Sequence, residues 1–184
     1  MQSAAPARYD AVARTLHWAL GAALLAQMSF GFLLDELAPR NTPARAAVIN
    51  LHKSCGLVLL VLIVLRLAWR LRHRAPPWPA AMPAWQRRAA GLGHGALYAC
   101  MLLLPAAGYV ASNFSKHGIK FFGRPLPPWG PDWPAAYAFF NGMHDVLGWS
   151  LAVLVAGHVA MAAKHAWIDR DGIVERMAFG RGAR

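Results

Sequence analysis

The chain has 184 residues, 57% of them hydrophobic and 15% charged, with a mean hydropathy of +0.32. Soluble domains run nearer half apolar and a quarter charged, and a chain of this size has too much surface to hide the excess in one core, so composition excludes an ordinary soluble domain and points to a membrane protein of a few spans. The formal charge of +11, from 19 Lys and Arg against 8 Asp and Glu, sits at the ends of apolar runs and not along one polar face; this excludes nucleic-acid binding and places the charge in loops beside anionic lipid.

Four apolar segments each supply the roughly 20 helical residues that cross a bilayer. The first, residues 15–34, is uncharged, lacks a small-residue cleavage site and carries His17 near its start. It reads as a retained helix and not a signal peptide. The second, residues 48–69, holds Lys53 and Arg66 near its two ends, where long side chains reach the interface. The linker after it, Pro76-Pro77-Trp78-Pro79, is stiff. The third segment, residues 89–115, carries Pro105, which predicts a kink. Cys55 and Cys100 lie in apolar runs and read as small buried hydrophobes. The loop over residues 116–140, with five prolines, Trp129 and Trp133, reads as a cap lying at the interface and not as a free strand. The fourth segment is residues 142–163.

Thirteen of the 19 Lys and Arg fall at the two termini and in the link between segments two and three. The other six are Arg40, Arg45, Lys53, Lys116, Lys120 and Arg124. The positive-inside rule then puts both termini in the cytoplasm. The expected fold is all-α: one integral membrane four-helix bundle over residues 1–184, without internal repeats.

Of eight histidines, five lie within spans: His17, His52, His94, His144 and His158. Ionisable residues inside a membrane are costly and mark function by default. His73, His117 and His165 fall in loops or just past a span and read as solvated or interfacial. His144 and His158 are 14 residues apart, so on one helix they share a face to within about 40° and stand about 21 Å apart along the axis. Helix one starts at the inner level with His17, and helix two starts at the outer level with His52. The result is two levels with two histidines each, His52 with His144 outside and His17 with His158 inside. Facing imidazoles across a helical bundle are what bis-histidine haem requires. One turn beyond each lies a small residue on the same face, Gly21, Gly56, Gly148 and Ala162, which offers room for the flat ring. His94 has Tyr98 there and is left out of the ligand set. Two separated pairs fit zinc badly, since it wants four ligands at one level. A proton relay explains neither the pairing nor the glycines.

The stretches RTLHWAL, INLHKSCGL, GLGHGALYACMLLLPAAGY and MHDVLGWSLAVLVAGHVAMAAKH resemble the bacterial cytochrome b561 family, and they cover all four spans. The resemblance implies a four-helix, multi-pass protein of the bacterial inner membrane with two haem b groups. Its axial ligands map onto His17, His52, His144 and His158, and its third-helix His–x3–Tyr pattern onto His94 and Tyr98, not as ligands. It further implies a membrane oxidoreductase that oxidises superoxide at the periplasmic face and passes electrons to ubiquinone, a partner soluble in the bilayer. The alternative is a haem b anchor subunit relaying electrons between quinone and a separate dehydrogenase, hydrogenase or periplasmic redox protein. A haem-free helical bundle is the third reading.

Local charge suits the first reading. Lys116, Lys120 and Arg124, with Lys53, would attract a small anion. Lys116 and His117 are the candidate substrate or quinol site. Arg14, Lys53, Arg66 and Lys164 lie at the depths where haem propionates need partners, or else bind lipid headgroups. His94 reads as helix-to-helix glue beside Gly93 and Gly95, or as a donor to a propionate or quinone. No glycine-rich nucleotide signature and no cysteine cluster accompanies these features.

Overall fold

A computed structural model of the chain describes residues 8–79 and 82–179; Arg181 and Arg184 lie outside the described residues. Helix α1, Ala11–Phe32, is followed by the single turn α2, Leu34–Leu37, and by α3, Arg45–Arg72. Helix α4, Ala84–Asn113, runs through Pro105. A two-stranded hairpin follows, β1 Ile119–Phe121 and β2 Arg124–Leu126, and then α5, Pro134–Ala163. The chain ends in a π-helical turn, Lys164–Asp169, and a short 3-10 turn, Val174–Arg176.

Among the described residues, three helical stretches are long and apolar enough to cross a membrane: Arg45–Arg72, Ala84–Asn113 and Pro134–Asp169. Helix α1 is not one of them. Arg14, Thr15, His17, Gln27 and Ser29 dilute its apolar residues. Exposure fits lipid and not water. On α5 the inward Leu151 is 0% exposed and Val153, two residues on, is 71% exposed. Large apolar side chains, among them Val61, Leu65, Leu92, Leu103 and Trp149, cover the outside. A patch that extensive on a soluble protein would drive aggregation.

Close helix packing joins α4 to α5, α1 to α3 and α3 to α4. Lipid tails are as apolar as leucine, so such packing relies on small residues that let backbones approach. Ala107, Ala111 and Ser112 form the buried stripe of α4, and Leu20, Leu59 and Ile63 the apolar cluster between α1 and α3. Among the described residues α5 is not closely packed on α1 or α3. Side chains span the gap instead.

Local chemistry fixes the ends. Asp10 caps α1 by accepting the Ala13 N–H at 2.8 Å. That bond, with the Trp69 indole N–H, holds the Asp10 carboxyl below its ordinary range. Arg45 donates to Asp35 at 2.5 Å and to the Ala38 carbonyl at 2.6 Å, tying α2 to the start of α3 and holding the Asp35 carboxyl low. At the opposite end of the bundle Arg176 donates to the Pro76 and Pro77 carbonyls at 2.5 and 2.9 Å. Its own carbonyl accepts from Tyr9 N, and the Met177 carbonyl accepts from the Trp18 indole. The start of α1, the turn at Arg176 and the α3–α4 linker therefore meet.

The loop over 116–140 differs from a cap without strands. The hairpin pairs Ile119 with Leu126 and Phe121 with Arg124, and its two turn residues, Phe122 and Gly123, both have positive φ, 43° and 88°. That is the turn conformation that matches strand twist. Phenylalanine rarely occupies it, which is why the sequence carried no hairpin signal. The hairpin is pinned to α3: Asn50 Oδ1 accepts from Lys120 N, and Ser54 Oγ accepts from Phe122 N. Helix α5 then begins at Pro134, because proline suits a first helical position.

Candidate functional site

His17 enters on α1, His52 on α3, and His144 and His158 on α5. The structure brings His52 and His144 together with ring centroids 6.2 Å apart and ring planes at 85°, and His17 and His158 with centroids 6.1 Å apart and planes at 65°. Both pairs span the gap between α5 and the α1–α3 pair. His94 also joins the inner group, its ring 5.5 Å from that of His158.

These pairs fit an iron atom between them. Metal–imidazole bonds of about 2 Å, plus about 1 Å from nitrogen to ring centre on each side, add to about 6 Å. One turn beyond His17, a Cβ at Gly21 would meet nothing within 4 Å, so the ligand's own helix leaves space there. Arg14 gives a further sign. One guanidinium nitrogen donates to the Ala178 carbonyl at 2.9 Å, and its Nε is buried without a partner. A buried charged donor without an acceptor is costly, and an anionic carboxylate such as a propionate would satisfy it.

Hydrogen bonds at Nδ1 differ among the ligand candidates. His144 Nδ1–H donates to the Leu104 carbonyl at 2.8 Å, which leaves Nε2 as the free lone pair. His52 Nδ1 lies 3.0 Å from the Gln27 amide nitrogen, which also donates to the His52 carbonyl at 2.7 Å. His17 Nδ1 accepts from an Arg66 terminal nitrogen at 2.9 Å. Arg66 also donates to the Leu16 carbonyl and to Tyr98 Oη. Tyr98 thus steadies the arginine beside the inner pair. For metal at His17 Nε2 the proton must move to Nδ1, and the guanidinium must turn away from the ring towards an acceptor.

Glycines hold the outer pair in a way the sequence reading missed. That reading put the useful glycines on each ligand's own helix. Here a Cβ at Gly31 would stand 3.0 Å from His52 Cε1, and one at Gly108 would stand 2.8 Å from His144 Nδ1. Both glycines belong to neighbouring helices. Gly56 instead faces the Gln27 amide, 3.6 Å from its would-be Cβ. No spacing rule along one helix finds such contacts.

The other candidate residues spread out. Lys53 donates to the Gly118 carbonyl at 2.9 Å, tying the residue after His52 to the outer loop. Lys164 pairs with Asp169 at 2.5 Å, beside His165, whose Nδ1 lies 2.7 Å from Asp171. The His165, Asp169 and Asp171 donor atoms lie within 4.8 Å of one another, with Lys164 already balancing part of their charge. Lys116 and His117 sit with Lys120, Pro128 and Asp132 around an outer cleft of about 300 Å³.

Comparison with known proteins agrees in kind. Residues 8–180 match the family described as prokaryotic cytochrome b561. The chain is 32% identical over 174 residues to cytochrome b561 homolog 2 of Escherichia coli (strain K12), covering 94% of this chain and 92% of the relative. It is 27% identical over 139 residues to cytochrome b561 homolog 1 of the same organism, covering 76% and 79% of the two chains. It is 28% identical over 172 residues to cytochrome b562 of Cereibacter sphaeroides, covering 92% and 94%.

Proposed function

The chain belongs to the prokaryotic cytochrome b561 family, multi-pass membrane cytochromes b that transfer electrons, and from that premise we propose that it carries electrons across the bacterial inner membrane between two b haems. The bundle has four spans, α1 included, with both termini in the cytoplasm. His52 and His144 hold the outer haem, and His17 and His158 the inner one. The observation that supports this most is the matched separation of the two imidazole pairs, 6.2 and 6.1 Å between centroids.

When bound, haem supplies one-electron redox chemistry at a potential set by its ligands and surroundings. The protein's own residues do the rest. Helices α1, α3 and α5 fix the ligands on both sides of the gap. Gly31 and Gly108 admit the outer imidazoles, and the lipid-facing apolar shell excludes water. Arg14 neutralises a propionate at the inner end, and Arg66 does so once it leaves His17.

The outer cleft is the entry for a small anion. Lys116, His117 and Lys120 focus positive potential there, and Lys53 links its floor at Gly118 to the helix turn that carries His52. Superoxide fits this charge. Two superoxide anions release two electrons and leave as two O₂, and one ubiquinone takes those electrons with two protons. Purified protein mixed with superoxide at low ionic strength tests the cleft. Lys116→Gln with Lys120→Gln should slow haem reduction about tenfold and flatten its salt dependence. An unchanged rate and salt slope would move substrate entry elsewhere. Haem reduction only by a copurifying redox protein, and never by superoxide, would favour the anchor-subunit reading.

A further inference from the structure

We propose that Gln27 is the positioning residue for His52 and sets the potential of the outer haem independently of the inner one; this rests on the two-haem reading above.

Gln27 is a polar residue in the last third of α1, and the electron path leaves it without a task. Its amide nitrogen lies 3.0 Å from His52 Nδ1 and 2.7 Å from the His52 carbonyl oxygen. Gly56, one turn beyond His52, faces the same amide, with a Cβ there 3.6 Å from its nitrogen, an ordinary contact. A side-chain amide aimed from one helix at another helix's imidazole and carbonyl is a built contact and not a chance one, because an amide left unpaired in hydrocarbon is costly.

A neutral imidazole has one N–H and one lone pair. With the Gln27 NH₂ donating to Nδ1, the ring proton sits on Nε2. Iron at Nε2 needs the other tautomer, whose Nδ1–H then requires an acceptor. Gln27 carries one in the same amide, Oε1; bringing it to Nδ1 turns the amide over, gives up the bond to the His52 carbonyl and shifts the amide away from that oxygen. His144 needs no such change, because its Nδ1–H already donates to the fixed Leu104 carbonyl. The inner site differs, since the Arg66 guanidinium beside His17 Nδ1 has only donors. An acceptor at Nδ1–H makes a ligating imidazole a stronger donor and favours ferric iron; the stronger the acceptor, the lower the potential. Gln27 is therefore a hydrogen-bonding side chain at His52 Nδ1 whose chemistry can be changed without touching a ligand.

The test uses the full-length purified protein, wild type, Gln27→Leu and Gln27→Glu. Pyridine-haemochrome counts come first, then potentiometric titration followed by absorbance. His144→Ala and His17→Ala identify the outer and inner components by which one disappears. The expected result is two haems throughout, with the outer midpoint higher in Gln27→Leu, lower in Gln27→Glu, and the inner midpoint unmoved. If Gln27→Leu fails to load the outer haem, the direction in Gln27→Glu decides. Two haems present with both midpoints unmoved in both variants would overturn the proposal, as would a shift confined to the inner component. A wild-type protein without two haems would instead fail the two-haem reading itself.

Discussion

At the residue scale the site depends on how close backbone comes to imidazole. A methyl group at Gly108 would meet His144 Nδ1 at 2.8 Å and Cε1 at 3.0 Å, on the side where that ring bonds the Leu104 carbonyl. Gly108→Ala should therefore displace the ring, cost about 1–3 kcal/mol of stability by overpacking, and lower outer-haem occupancy. Gly91→Ala on the same helix meets nothing within 4 Å, and should be neutral or gain up to about 1 kcal/mol from helix propensity. Thermal melts and haem counts of the two variants check this contrast, and equal behaviour would contradict it. The histidine levels were legible in the sequence because helical rise and span direction fix depth. Gly31, Gly108 and Gln27 were not, because each acts on a histidine of a different helix, and no offset within one helix encodes that meeting.

At the element scale the ends are set by chemistry of different visibility. The long apolar runs announced α3, α4 and α5, though each helix extends past its apolar core: α5 starts at Pro134, before the expected apolar segment at 142. The hairpin stayed hidden because its turn uses Phe122 and Gly123 and its support comes from α3. Ser54→Ala removes the acceptor for Phe122 N and the donor towards the Lys120 carbonyl. Faster amide exchange over residues 119–126, with unaltered haem spectra, is the expected outcome; unaltered exchange would mean the hairpin holds without α3. The cap of α1 is titratable. The Asp10 carboxyl is held below its ordinary value of 3.8 by the Ala13 N–H, so its contribution is complete above the unfolded pKa and is lost as pH falls through the lower folded one. Asp10→Ala should cost about 1 kcal/mol at pH 7, and the gap from wild type should close at pH well below 4. Melting curves at the two pH values measure it, and a gap that persists in acid would show that the carboxylate is not the cap.

At the scale of the whole molecule, charge asymmetry and the strap around Arg176 agree on one end of the bundle. The start of α1, the turn at Arg176 and the α3–α4 linker meet there, and most of the described Lys and Arg lie towards it. The predicted orientation puts that end in the cytoplasm. In a variant lacking Cys55 and Cys100, His117→Cys should react with an impermeant thiol reagent from outside intact spheroplasts, and Arg74→Cys only after lysis. The reverse pattern would invert the electron path. The Lys and Arg asymmetry is legible in the sequence, whereas the strap joins residues 9, 18, 76 and 177, too far apart in sequence for any local pattern to reveal.

The central claim is two haems, one per histidine pair, and it is tested most directly by dithionite-reduced minus oxidised spectra with haem counts on the wild type and four single variants. The account predicts two b haems per wild-type chain, with His52→Ala and His144→Ala losing the same spectral component and His17→Ala and His158→Ala losing the other. One haem or none in the wild type, or a common component lost in His17→Ala and His52→Ala, would contradict it.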